Sequence, residues 1–373
     1  MLFRLLFSIS SLLVAQTAFG TMSVLPGPLV KSSPTADKPP FPNMEVITFS
    51  KAANVDKPQI LKLKTCAGKY RPFNPASGRK PLAVMFAIWD EKKQGEMSID
   101  DIMMAETSTM AELTKRGIQV LLPADPGPSY DLVLKRVQAG GGDSSKIKRI
   151  DKSGKDGRFI NHSWMRDWGP LPLRNMETGE WGTVLLEPGW MRGTSVFFKD
   201  WFEKNLKMPI LGSYYVDDGQ FAGGNIITDN EGCCISAGIT HPLFGQFINC
   251  STILTVPCRS QVCHADEYFV VLKKGIIATT KPEFIPALRE AGFTQILELP
   301  ADDELSFTNV LIVGKEVFMM YTDKKKEKMI QAKAVYEQAG YKVVPIKTGG
   351  CGENYGAIHC LTREIPKIVV PAR

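Results

Sequence analysis

Cys360 sits where a cysteine can do chemistry. The stretch Tyr355-Gly356-Ala357-Ile358-His359-Cys360-Leu361-Thr362 follows Gly349-Gly350-Cys351-Gly352 and precedes Arg363-Glu364-Ile365-Pro366. Glycines let backbone come close to a ligand, because they tolerate left-handed and crowded conformations. Ala357-Ile358 begins a short apolar run able to fix the cysteine on a rigid element. A thiol presented this way is a candidate nucleophile once a nearby cation or dipole lowers its pKa. A buried, inert cysteine is the other reading, and the commoner fate of a free thiol.

Four further blocks carry side chains of matching chemistry. Trp164-Met165-Arg166-Asp167-Trp168-Gly169-Pro170 places an acid between two tryptophans. That is either a surface turn with a cation–π pair or an acidic group walled by aromatics, suited to a planar cation. Phe221-Ala222-Gly223-Gly224-Asn225 combines close backbone approach with an amide that both donates and accepts, though alone it is only a turn. Cys263-His264-Ala265-Asp266-Glu267 sets His264 and Asp266 two apart, which in an extended segment turns both side chains the same way. A structural His–Asp hydrogen bond is the alternative there. Ser306-Phe307-Thr308-Asn309 precedes an apolar run and is compatible with a plain turn. A zinc site built from Cys258, Cys263, His264 or Cys360 has no CxxC or HExxH spacing behind it.

Two acids, a histidine and a cysteine form a coherent set for one kind of group. Guanidinium is planar, always charged, and carries its N–H donors in a fixed fork that two carboxylates can grip. Its delocalised carbon is a poor electrophile, so a thiolate nucleophile and a proton donor for departing ammonia are both needed.

The elements that must position these residues read as an α/β chain. Leu82 to Ile88 is a buried strand, and Ser98 with Asp101 starts a helix through Ile99, Ile102, Met103, Glu106, Met110 and Leu113. Gly117 stops that helix before the strand Ile118 to Leu122. The same helix–Gly–strand unit recurs at Pro286 to Leu299 and at Ala334 to Ile346. Hairpins turn at Lys273-Lys274-Gly275 and at Gly314-Lys315. Recurrent hairpin–helix–strand units point to one domain built by internal repetition.

Composition bounds the rest. With 44% hydrophobic and 23% charged residues the 373-residue chain is an ordinary globular protein. Its net charge of +6 is scattered apart from Lys324-Lys325-Lys326, so no nucleic-acid footprint is expected. Arg4, the apolar run Leu5 to Ala15 and Ala18-Phe19-Gly20 predict a signal peptide over residues 1–20, with a signal anchor as the rival. The run is too short to span a bilayer, so no stable membrane insertion is expected after cleavage. Residues 21–58 are Pro- and Ser-rich, a linker or surface wrap, and 59–373 is expected to be a single catalytic domain. Eight cysteines in an exported chain invite disulfides: with Cys360 set aside, at most three bridges form. Sequons stand at Asn161 and Asn249, the first too near the candidate site to expect its use.

Taken in order, the blocks resemble the guanidine-modifying (pentein) superfamily, and within it the Porphyromonas-type peptidylarginine deiminases and the agmatine deiminases. The matching positions are Trp164 to Pro170, Gly223-Gly224-Asn225, His264-x-Asp266, Asn309 and Ala357 to Thr362. The resemblance implies a five-fold pseudo-symmetric α/β propeller of ββαβ-type units. It also implies that Asp167 and Asp266 bind the guanidinium, Cys360 attacks its carbon, and His264 protonates the leaving ammonia and then activates water. Trp164, Asn225 and Asn309 would complete the substrate site, and no metal or organic cofactor would be required. Agmatine and free-arginine deiminases carry a Glu just before the Gly-Gly pair, where this chain has Ala222. Ala222 and the signal peptide together favour a secreted protein-arginine deiminase, acting on arginine-containing peptides or another extracellular guanidine. An agmatine deiminase and a non-catalytic secreted binding protein are the alternatives. Arg192, in Gly189-Trp190-Met191-Arg192-Gly193, is either a holder of the substrate carboxylate or a surface arginine.

Overall fold

Short apolar strands separated by Gly-stopped helices fold into a series of small sheets. The computed structural model describes residues 54–74, 80–87, 99–124, 127–150, 163–188, 198, 201–216, 222–260, 262–302, 305–348 and 357–367, all within one compact unit, Asn43–Arg373. The expected signal peptide and most of the Pro-rich segment lie outside the described residues.

The chain begins with β1 (Gln59–Lys62), β2 (Tyr70–Pro72) and β3 (Ala83–Met85), followed by α1 (Ile99–Lys115), β4 (Gln119–Pro123), α2 (Pro128–Ala139) and β5 (Ile147–Ile150). A one-turn helix α3 (Met165–Trp168) leads into β6 (Leu171–Asn175), β7 (Trp181–Pro188) and β8 (Ile210–Val216). Next come β9 (Ile227–Thr228), β10 (Cys233–Ala237), β11 (Thr252–Val256), β12 (Phe269–Lys273) and β13 (Ile276–Thr279). The last stretch holds α4 (Ile285–Glu290), β14 (Gln295–Glu298), β15 (Leu311–Val313), β16 (Glu316–Tyr321), α5 (Lys326–Gln338), β17 (Lys342–Lys347) and β18 (Arg363–Ile365).

Among the described residues five sheets of three or four strands result, none closed on itself. Each contains the same unit, an antiparallel pair with a third strand added in parallel. The pairs β12–β13 and β15–β16 take β14 and β17 as their parallel neighbours. β6–β7 takes β8, and β9–β10 takes β11. The fifth sheet joins the two ends of the chain: β18 pairs antiparallel with β3, and β3 runs parallel to β4.

A parallel third strand requires a crossover. Helices α1, α4 and α5 supply it in three sheets, but the expected ββαβ unit is not kept throughout. Between β10 and β11 no helix forms; the crossover is a series of turns, tied by the disulfide Cys234–Cys250. Glycines end the crossover helices as the sequence predicts, with Gly292 and Gly340 at φ +109° and +86°, where a β-carbon would be strained. The strand expected over Leu82 to Ile88 is only Ala83–Met85, fully buried; Leu82 is exposed, and Ile88 lies outside the described residues.

The polar interruption in α1 proves to be internal. Glu106 is buried, and burial pushes its carboxyl well above the ordinary range despite Ser163 nearby, so it is held as the neutral acid. Thr107 and Thr109 on the same helix return their hydroxyls to the carbonyls of Met103 and Ala105 at 2.6 and 2.7 Å. A second disulfide, Cys258–Cys263, immediately precedes His264. Cys66, Cys233 and Cys360 are free thiols, and Cys351 lies outside the described residues. At the Asn249 sequon the amide nitrogen donates to Gly68 O at 3.0 Å.

Candidate active site

Asn309 is the residue that fixes the thiol. Ala357 and Ile358 are packed in the main hydrophobic core, and the chain then makes one helical turn through Cys360 before entering β18. The Asn309 side-chain oxygen accepts the backbone N–H groups of Ala357 and Cys360 at 3.2 and 3.1 Å, and its Nδ2 donates to Cys360 Sγ at 2.9 Å. The thiol is 5% exposed and stands 3.6 Å from Asp266 Oδ2. The glycine-dense segment 349–356 lies outside the described residues.

His264 and Asp266 do converge, but not through strand alternation. Only His264 is extended; Ala265–Glu267 is a turn of 3₁₀ helix, the extended reading having missed how tertiary bonds bend this segment. Asn225 Oδ1 accepts the N–H of Ala265 at 3.1 Å, and Thr308 Oγ1 and Ser306 Oγ donate to the carbonyls of Asp266 and Glu267. Asn225 also exchanges bonds with both backbone groups of Ala237, at 2.6 and 2.9 Å. Asn225 thus braces the backbone on either side of the site. Asn225→Ala strands three buried backbone groups, and we expect a loss of about 2–4 kcal/mol, read as a lowered urea midpoint.

Asp167 approaches from α3, its Oδ1 3.5 Å from His264 Nδ1. The flanking tryptophans differ in burial, Trp168 being buried and Trp164 half-buried. Trp168 is buried against Phe198, ring centroids 5.7 Å apart, and Trp164 packs on Ile102, Ala105 and Leu361. Both stiffen the element that carries the acid. Arg192 lies outside the described residues, so its expected carboxylate contact has no structural counterpart here.

His359, one residue before the thiol, is the neighbour that the motif reading left without a role. Its Nδ1 lies 2.6 Å from Asp266 Oδ2. Burial, with the Arg166 cation beside it, pushes the imidazole down, so His359 is neutral and donates to an ionised Asp266. Burial alone would raise Asp266, but this hydrogen bond, with the nearby Arg166, outweighs it and holds the carboxyl low. Asp167 goes the other way, raised by burial and by the Asp266 charge against the opposing pull of His264 and two arginines. Burial drives the Cys360 thiol well up, and Asp266, Asp167 and Glu267 add to it. The resting site therefore holds a neutral thiol among carboxylates that call for a cation. A cavity of about 80 Å³ is walled in part by Asp266, His359, Arg166, Arg363 and Glu364.

Glu267 is a third buried acid, pushed up to about 7 chiefly by burial, though Ser260 Oγ donates to it. Its folded value exceeds the ordinary one, so the associated stability is complete below about pH 4.5 and is lost as pH rises through about 7, some 3 kcal/mol in all. Glu267→Gln should flatten that slope in urea midpoints taken across this range.

No protein-family model and no curated protein matches the sequence. Solved structures do match in fold. An agmatine deiminase from C. jejuni aligns at TM-score 0.59 and 15% identity over 86% of this chain and 100% of its own. An agmatine deiminase from Enterococcus faecalis aligns at 0.55 and 15% over 83% and 100%. A candidate arginine deiminase from Porphyromonas gingivalis aligns at 0.56 and 15% over 80% and 99%. The chain has the mixed α/β fold of the guanidine-modifying, or pentein, deiminases.

Proposed function

We propose that the protein is a secreted protein-arginine deiminase, hydrolysing a guanidinium C–N bond to leave citrulline and ammonia. The observation that carries this is the convergence of Cys360, His264, Asp167 and Asp266 on one buried site. A guanidinium held by Asp167 and Asp266 brings the positive charge that the resting site lacks, which lowers the thiol's pKa at the moment of binding. Cys360 gives its proton to His264, Sγ bonds to the guanidinium carbon, and one C–N bond breaks as His264 passes that proton to the ammonia that leaves. Water, deprotonated by His264, attacks the amidino-thioether; the C–S bond breaks and a ureido group departs. Ala222, buried just before the Gly223-Gly224 pair, is the feature that favours peptidyl arginine over agmatine. Export rests on the apolar N-terminal run and fits the two disulfides. We also read the five sheets as the blades of a propeller.

The test is a substrate panel: agmatine, free arginine, and short peptides with internal or C-terminal arginine, with ureido product read by colorimetry. Turnover of peptides without agmatine supports the proposal. Turnover of agmatine alone replaces it with the agmatine deiminase that several of the matching structures are. An exported form beginning at Thr21, read by N-terminal sequencing, tests secretion.

A further inference from the structure

Among the described residues Arg166 makes four bonds, all to the segment that carries the thiol. Its backbone N–H donates to Cys360 O at 3.0 Å, its Nε donates to His359 O at 3.1 Å, and its guanidinium pairs with Glu364 Oε2 at 2.7 Å. Its own carbonyl accepts from Arg363 Nη2. Arg166, Arg363 and Glu364 are 6%, 2% and 4% exposed. Buried charges are expensive to desolvate, so such a cluster is a poor device for stability alone.

Position 223 is shaped to admit it. A β-carbon on Gly223 would lie 2.2 Å from both the Arg166 carbonyl oxygen and Arg363 Nη2. The Arg363 bond to Arg166 exists only because that residue has no side chain. Asp167 follows Arg166 directly in α3, and Arg363 follows Cys360 by three positions. The two halves of the site are therefore joined across 197 residues by one clasp of guanidinium groups and carbonyls.

We propose that Arg166, Arg363 and Glu364 are positioning residues that set Asp167 against Cys360, with Gly223 as the space that lets them close. This rests on reading Cys360 as the nucleophile. Arg363 and Arg166 also oppose the carboxylate field, since both lower the Asp167 pKa and Arg166 that of Asp266. Opening the clasp should therefore move the thiol's titration as well as the geometry.

Two readouts test this on the full chain for Arg363→Gln, Arg363→Lys and Gly223→Ala. Iodoacetamide alkylation of Cys360 against pH needs no turnover, and kcat and KM come from whichever guanidine the wild type accepts. Arg363→Gln and Gly223→Ala should lower kcat about 100-fold with a smaller change in KM. They should also shift the alkylation profile up by roughly one pH unit. Arg363→Lys, which keeps the charge and one donor, should recover part of both and keep the proposal testable if either other variant misfolds. An unchanged alkylation profile and kcat in all three, with only the urea midpoint lowered, would overturn it. Shifted profiles in the variants, with a wild type that turns over no guanidine, would leave the clasp standing and remove the deiminase reading.

Discussion

Serine in place of Cys360 leaves turnover at background, a fall of at least ~10³-fold on the best substrate. The reason is electrostatic as much as nucleophilic. Burial and three carboxylates already hold the thiol well above its ordinary value, against the pull of the Asn309 Nδ2 hydrogen bond. A serine hydroxyl, far less acidic than a thiol, has no route to an anion in that field. The serine variant should still bind guanidinium ligands, because Asp167 and Asp266 remain. The raised thiol has a second consequence with a definite sign. In the empty wild-type site alkylation by neutral iodoacetamide should be slow near pH 7 and climb continuously past about pH 10, where an ordinary thiol has nearly levelled off. Protection by guanidinium chloride together with loss of the slow phase in Cys360→Ser assigns the signal. A thiol that titrates near its ordinary value would remove this account of activation by the substrate's charge.

The pairings that could be read in sequence were local, and the ones that could not were distant. Helix α1, the two β-hairpins and the Gly-ended helices follow from periodicity and turn chemistry within a dozen residues. The four side chains that converge were picked out as an ordered set of short motifs resembling those of the guanidine-modifying superfamily. The reason given for one pair was wrong: His264 and Asp266 share a site through a 3₁₀ turn bent by Asn225 and Thr308, which lie 40 and 42 positions away. Asn225 looked like a ligand for substrate because an amide after two glycines is free to be one; its bonds to Ala237 and Ala265, 12 and 40 positions away, had no spacing to announce them. Arg166 read only as the cation of a cation–π pair in a surface turn, and Arg363 gave no signal. A clasp spanning 197 residues leaves no spacing to read, and each arginine alone resembles a solvated charge. Trp168, read as a wall of the site, is the floor of the core beneath it, because a one-turn helix must present one face inward to be held at all.

Alanine at Gly224 should be nearly as damaging as loss of the nucleophile, at least ~100-fold in kcat/KM, while leaving the fold in place. The added β-carbon would lie 2.8 Å from His264 Nδ1 and 3.1 and 3.2 Å from the two Asp266 carboxylate oxygens. Gly224 carries no positive-φ conformation in need of glycine, so the harm is confined to what the methyl group meets. Both neighbours are buried, at 3% and 1% exposure, and neither can retreat: Asp266 is tied to His359 at 2.6 Å and its turn is braced from Thr308. The methyl must therefore push the histidine or the carboxylate out of register with Cys360, and a displacement of an ångström at a reacting centre is enough for that loss. Urea unfolding separates the outcomes. A small change in midpoint with a collapsed kcat/KM places the damage at the site; activity within a few-fold of wild type would mean that His264 and Asp266 sit elsewhere when substrate is bound.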